Sequence, residues 1–128
     1  MDDMGIFRTT LGVENPLRRG VVESLHDVLV DTGSELSWVP TEVLERLGIP
    51  REKKGEWFQM ANGGVLERSI GFVILHAGGT TTIDEVVFGE PGDMTLLGAR
   101  TLEGLNLRVD LPNKRLVSAG PILAAAAA

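Results

Sequence analysis

Residues 28–40 read Val-Leu-Val-Asp-Thr-Gly-Ser-Glu-Leu-Ser-Trp-Val-Pro, and no other stretch constrains the chain so tightly. Val28, Leu29 and Val30 form an apolar, largely β-branched run, the pattern of a strand buried on both faces. That run leads straight into the carboxylate of Asp31. An ionisable group at the end of a buried strand is costly unless it is paired, hydrogen-bonded or used in chemistry. Thr32 and Ser34 supply hydroxyls that can hold a carboxylate in one orientation. Gly33 lets the backbone turn and lets a second loop approach closely. The plainer reading is an ordinary Asp-Thr-Gly turn closing a strand.

Composition narrows the possible chemistry. A length of 128 residues with 43% hydrophobic content suits one domain with one core. A formal charge of −6 argues against a surface built to neutralise phosphates, so no nucleic-acid partner is expected. There is no cysteine, which excludes disulfides and thiolate chemistry. His26 and His76 are too few and too isolated for a zinc site, and no metal or cofactor is expected. The start, Met1-Asp2-Asp3-Met4, is acidic and lacks an apolar signal core, and no apolar run reaches membrane-spanning length. The expectation is a soluble, cytoplasmic protein with no membrane partner. Residues 1–123 read as one domain, and the alanines at 124–128 as a disordered or introduced tail.

Along the chain the pattern is mainly β. Residues 5–13 read as a strand, closed by Glu14-Asn15-Pro16. A second strand runs from Val21 to Asp31, with a break expected near His26-Asp27. Thr41 is placed to cap a short helix over 42–47, which Gly48 ends. Residues 51–55 read as a charged connector. Strands at 57–61 and 65–75 flank Asn62-Gly63-Gly64, a strong hairpin signal. That hairpin is either a plain surface turn or a mobile flap over a substrate. Gly71 suggests a bulge in the second of these strands. Ile83, Val86, Val87 and Phe88 are the core candidates of the next strand. Leu96-Leu97-Gly98 repeats the opening theme of an apolar strand ending in glycine, and a short helix over 99–105 follows. Residues 107–110 and 115–117 read as a terminal hairpin.

Three separated elements now stand in order: Asp31-Thr32-Gly33-Ser34, the tip Asn62-Gly63-Gly64, and Leu96-Leu97-Gly98 before a short helix. Their order and spacing resemble the retropepsin-like aspartic proteases, in particular the small single-domain bacterial and archaeal kind. The resemblance extends from about Gly5 to Val117. It implies a closed, barrel-like β fold with one or two short helices, which dimerises to place two Asp-Thr-Gly loops side by side. It further implies that Asp31 is the catalytic acid, that Thr32 grips the partner loop, and that Gly33 permits their approach and contacts substrate backbone. Met60, Ala61, Asn62, Gly63, Gly64 and Val65 would form the flap, and Leu96, Leu97 and Gly98 would pack beneath the acid loop. Glu35 stands where retroviral members usually carry a substrate-binding Asp. Those members place an Arg directly after the second glycine. Here Ala99 intervenes and Arg100 is displaced by one, which argues against a Glu35–Arg100 pair.

The chemistry demands two carboxyl groups. One, ionised, takes a proton from water, and the other, protonated, polarises the peptide carbonyl. The sequence holds one Asp-Thr-Gly, and Asp84, Asp93 and Asp110 lack its hydroxyl-glycine setting. A homodimeric aspartic endopeptidase acting on a peptide or protein substrate is therefore the expectation. Ser34 is expected to donate to Asp31, and Val39, Met60, Val65 and Leu97 to furnish an apolar cleft. The alternatives are a catalytically silent dimeric peptide-binding or scaffold domain of the same fold, and a self-processing module.

Overall fold

The computed structural model describes residues 7–124; the expected start of the first strand at 5–6 and the tail at 125–128 lie outside them. Nine strands and two short helices follow in the order β1 (Arg8–Glu14), β2 (Val22–Val30), β3 (Ser37–Pro40), α1 (Thr41–Arg46), β4 (Lys53–Gln59), β5 (Val65–Ala77), β6 (Thr80–Gly89), β7 (Leu96–Leu97), α2 (Ala99–Leu105), β8 (Leu107–Asp110) and β9 (Arg115–Ser118). The mainly β reading holds, and the two short helices lie at or within a residue of their expected places.

Six strands close into a ring. β1 and β2 form an antiparallel hairpin, and β2 runs parallel to β7 through Leu29↔Leu96 and Val30↔Leu97. β7 meets β3 at Trp38, β3 lies parallel to β6, and β6 pairs antiparallel with β5. The far half of β5 then returns to β1 through Gly12↔His76 and Glu14↔Ile74. Closure removes the free edges that an open sheet would leave. Its seam carries a buried carboxylate. Glu14 accepts from the Gly20 amide at 2.6 Å, lies 2.8 Å from His76 Nε2 and pairs with Arg19 at 3.0 Å. The Gly20 amide, then His76 and Arg19, hold its carboxyl down at about 2.

The core fills this ring. Leu11, Val13, Val28, Val39, Val73, Leu75, Val86, Phe88 and Leu97 are buried at its centre. Each such side chain contributes roughly 1.5–3 kcal/mol relative to an exposed one. α1 adds Val43 and Leu44, α2 adds Leu102 and Leu105, and the β8–β9 hairpin packs Leu107, Val109 and Leu116 against the same cluster.

Several local expectations change. The break at His26-Asp27 is a bulge: Thr9 faces Val28 while Leu11 faces Leu25, and Asp27 takes φ 57°. Thr41 is the first helical residue, not the cap, because the extended position before α1 belongs to Pro40, still paired with Gly89 in the β3–β6 ladder. The other end of α1 is closed from a distance. Buried Asn15 donates its Nδ2 to the carbonyls of Leu47 and Gly48 at 2.9 and 3.3 Å. The charged connector is largely strand, since β4 begins at Lys53 and Lys53 pairs with Glu85 at 2.6 Å. The bulge expected at Gly71 is absent, because β5 and β6 keep an unbroken register from Ile70 to Ala77. The irregularity lies instead in β4, between Lys53 and Glu56. Gly71 serves close packing: a Cβ there would sit 2.8 Å from Ile49 and Phe88 side-chain atoms. Ile83 is 70% exposed rather than buried. It shares a face of β6 with Val87, and that face is covered only near Val87.

Candidate active site

β2 ends under a broad cleft and delivers Asp31 to its floor. The Asp31 amide donates to the Leu97 carbonyl at 2.9 Å, and the Ser34 amide donates to the Asp31 carbonyl at 3.1 Å. The carboxylate is held within its own loop, with Oδ1 accepting from the Gly33 amide at 2.9 Å. A Cβ on residue 33 would lie 3.2 Å from that same oxygen. Thr32 and Gly33 are exposed, and the Thr32 hydroxyl has no hydrogen bond among the described residues. The loop thus presents a carboxylate, a hydroxyl and bare backbone outward.

The expected bond from Ser34 to Asp31 is not present. The Ser34 hydroxyl donates to the Leu36 carbonyl at 2.7 Å, closing a local turn whose acceptor is only two residues away. Behind the loop runs the segment that follows β7. The Ala99 amide donates to the Ser34 carbonyl at 2.8 Å and the Arg100 amide to the Glu35 carbonyl at 3.0 Å. Gly98 passes so close that a Cβ would sit 2.5 Å from the Leu36 carbonyl oxygen and 2.8 Å from that of Ser34. No other residue fits there without moving backbone. Leu96, Leu97 and Gly98 therefore do lie against the acid loop.

Arg100 and Glu35 meet through backbone only. The Arg100 guanidinium turns to Glu85 at 3.1 Å, and Lys53 and then Arg100 hold the Glu85 carboxyl below its ordinary range. Glu35 stays exposed on the cleft wall with no side-chain partner among the described residues.

The opposite wall is the β4–β5 ribbon. Its tip is a type of turn the sequence only half reveals. The Gly63 amide donates to the Met60 carbonyl at 2.9 Å, the Met60 amide to the Gly64 carbonyl at 2.8 Å, and the Gly64 amide to Asn62 Oδ1 at 2.8 Å. Gly63 alone takes a positive φ, 87°; Asn62 does not. This is a three-residue loop with its glycine in the left-handed position, rather than a two-residue Asn-Gly turn. Met60, Ala61, Asn62, Gly64 and Val65 all line the cleft.

A small second apolar cluster ties ribbon to floor. Leu36, Trp38, Ile70 and Val87 pack with Phe58, Met60 and Leu96. Trp38 and Phe58 meet edge to face at 5.4 Å, a contact worth about 0.5–1.5 kcal/mol beyond burial. Arg68 of β5 adds a two-pronged ion pair to Asp93 at 2.7 and 2.9 Å, and that pairing holds the Asp93 carboxyl below its ordinary range. The cleft measures about 870 Å³, ample for several residues of an extended peptide. Met60 and Val65 line it as expected. Val39 and Leu97 do not: both are fully buried in the main core. Trp38, Phe58 and Leu96 supply the apolar surface instead.

The three other aspartates weighed from the sequence are engaged elsewhere. Asp93 is bound by Arg68, Asp84 accepts from the Thr101 hydroxyl at 3.0 Å, and Asp110 is engaged by Asn113 and Arg115. Among the described residues no group of carboxylates and histidines could hold a metal ion, and no helix is long and apolar enough to cross a membrane.

This arrangement has relatives. The chain is similar to EIAV protease, solved in complex with the inhibitor HBY-793, at 23% identity over 81% of this chain and 91% of that one, with a TM-score of 0.55. It is also similar to the protease of Simian Foamy Virus (mac), at 20% identity over 74% and 92% of the two chains, with a TM-score of 0.44. No curated protein matches it. The first of these likenesses places the ring and its ribbon in the retropepsin-like fold. Residues 23–104, which run from β2 through the acid loop and ribbon into α2, match the gag-polyprotein putative aspartyl proteases, and the chain belongs to that family.

Proposed function

We propose that the protein is an aspartic endopeptidase that works as a homodimer, each protomer contributing one Asp-Thr-Gly loop. The observation that carries this reading is the setting of Asp31: a carboxylate fixed by backbone bonds at the floor of a peptide-sized cleft, under a glycine-tipped ribbon. Catalysis of this kind needs a second carboxyl, and within one chain Asp84, Asp93 and Asp110 are engaged elsewhere. A second copy of the loop supplies it through a two-fold axis. Thr32 and Gly33 are exposed beside Asp31, which suits them to meet their counterparts there.

In the paired site one Asp31 carboxylate takes a proton from a bound water, and the oxygen so activated adds to the peptide carbonyl carbon. The other, protonated, donates to the carbonyl oxygen as charge develops on it. Proton return to the amide nitrogen then releases the two products. Asp31 is the catalytic group in this scheme, and Thr32, Gly33 and Ser34 shape its loop. Glu35 and the tip residues Met60, Ala61, Asn62, Gly63, Gly64 and Val65 hold substrate, while Leu96, Leu97 and Gly98 brace the loop from behind. No cofactor takes part.

The test compares the parent with Asp31→Asn on a diverse peptide mixture from pH 4 to 7, with products read by mass spectrometry. Cleavage by the parent and none by the variant is expected, with a dimer seen by sedimentation. A folded, dimeric parent that cuts nothing would mean a domain that binds peptides without hydrolysing them.

A further inference from the structure

Behind the acid loop lies a row of buried hydroxyls that the proposed mechanism does not use. The Gly98 amide donates to Ser37 Oγ at 2.9 Å, Ser37 Oγ lies 2.5 Å from Thr101 Oγ1, and Thr101 Oγ1 donates to Asp84 Oδ2 at 3.0 Å. Ser37 and Thr101 are fully buried, while Asp84 reaches the surface on β6. Three elements distant in sequence, β3, α2 and β6, each contribute one link.

The direction of the row is fixed by chemistry. The Gly98 amide can only donate, and an ionised Asp84 can only accept. Thr101 must spend its single proton on Asp84, so it accepts from Ser37. Ser37 in turn donates to Thr101 and accepts from Gly98. Every proton thus points from the acid-loop side towards the carboxylate, and bonds aligned head to tail polarise and strengthen one another. The first link holds the one residue between Leu97, whose carbonyl accepts from the Asp31 amide, and Ala99, whose amide donates to the Ser34 carbonyl.

We propose that Ser37, Thr101 and Asp84 are positioning residues for the acid loop: a one-directional hydrogen-bond chain that anchors Gly98 and through it sets the orientation of Asp31. The functional part rests on Asp31 being the catalytic acid. Asp84 thereby influences the reaction from outside the cleft, without touching substrate.

The decisive comparison is at position 101. Thr101→Val keeps the shape and deletes the hydroxyl, whereas Thr101→Ser keeps the hydroxyl and deletes a methyl. The chain requires Thr101→Val to lower kcat by about tenfold with KM changed less than about twofold, the mark of a group that acts on the reacting geometry rather than on binding. Thr101→Ser should restore most of the rate. Asp84→Ala, at the half-buried end of the row, should lower kcat severalfold in the same manner.

Amide NMR gives a readout independent of turnover. The Gly98 and Asp31 amide resonances should move in Thr101→Val and Asp84→Ala, and return in Thr101→Ser. The chain is refuted if Val at 101 is tolerated better than Ser, or if those resonances stay fixed. Shifted resonances in the variants, beside a parent that cleaves nothing, would uphold the chain and overturn only the reading of Asp31 as catalytic.

Discussion

Two glycine-ended strands lie side by side at the centre of this molecule and do opposite things. β2 and β7 run parallel, Val30 beside Leu97, and each ends in a turn carrying a glycine. After β2 the chain exposes what it carries: Thr32 and Gly33 are open, and Asp31 is partly so. At the end of β7 it hides Leu97 and Gly98. Leu97 is fully buried, Gly98 has backbone packed on it, and the amides of residues 98–100 all find partners across the gap. One turn is polar and outward and is closed by bonds of its own; the other is mute, and its amides all bond across to residues 34–37. The difference teaches that precision at the first is supplied by the second. The loop binds its own carboxylate through the Gly33 amide, but its two ends are fixed from outside: the Asp31 amide by the Leu97 carbonyl and the Ser34 carbonyl by the Ala99 amide.

Gly98→Ala is the sharpest way to break this pairing. Its new methyl meets the Leu36 and Ser34 carbonyls, which are backbone and cannot rotate away. A stability loss of about 3 kcal/mol is expected, together with loss of cleavage under conditions where the variant is still folded. Chemical denaturation and peptide assay would read both. Normal activity in Gly98→Ala would show that the buried turn does not govern the exposed one.

Gly63→Ala should do less. No atom lies within 4 Å of the added methyl, so the cost is only that of a left-handed φ at a residue with a Cβ, about 1 kcal/mol. The melting temperature should fall by about 4 °C and kcat/KM by no more than about fivefold, since 1.4 kcal/mol corresponds to tenfold. A larger fall in kcat/KM would mean that the tip shapes the site as strongly as the turn after β7.

Glu14→Gln, at the seam of the ring and remote from both turns, should leave turnover alone and lower stability by an amount that shrinks in acid. The Glu14 carboxyl sits below its ordinary value of 4.5, at about 2, in the folded protein. A depressed carboxyl contributes stability that is complete above the unfolded value and is lost as pH falls through the folded one. The parent should therefore converge on the variant between pH 4.5 and 2, as followed by urea midpoints. A gap that persists unchanged at the acid end would assign the effect to packing instead.

What could be read from the sequence was local or strongly patterned. The acid loop, the glycine-tipped hairpin, the helix at Ala99–Leu105 and the terminal hairpin each announce themselves within a few residues. What escaped depends on partners far along the chain. Asn15 closes a helix 32 residues away, and Ser37 meets a threonine 64 residues on. No periodicity carries such information. Ser34 was misread because a hydroxyl beside a carboxylate has a second acceptor, the Leu36 carbonyl, which only the folded turn brings near. Ile83 was misread because an apolar residue on an alternating strand is buried only where something covers that face. Gly71 was misread because glycine marks both bulges and tight contacts, and sequence does not separate the two.

The strand β5 is longer than either of its partners on one edge. Its first residues, Val65 to Ile70, pair with β4, and its last, Ile74 to His76, pair with β1 at the seam. Up to Arg68 the ribbon has no third strand, because β6 joins only at Ile70. Mechanically this is a cantilever: a beam clamped in the barrel wall, propped part-way by Arg68 on Asp93 and Phe58 on Trp38, and free beyond. Such a beam bends rather than hinges, so its opening is spread over many dihedrals. Whatever presses on the tip also loads the strand that seals the barrel.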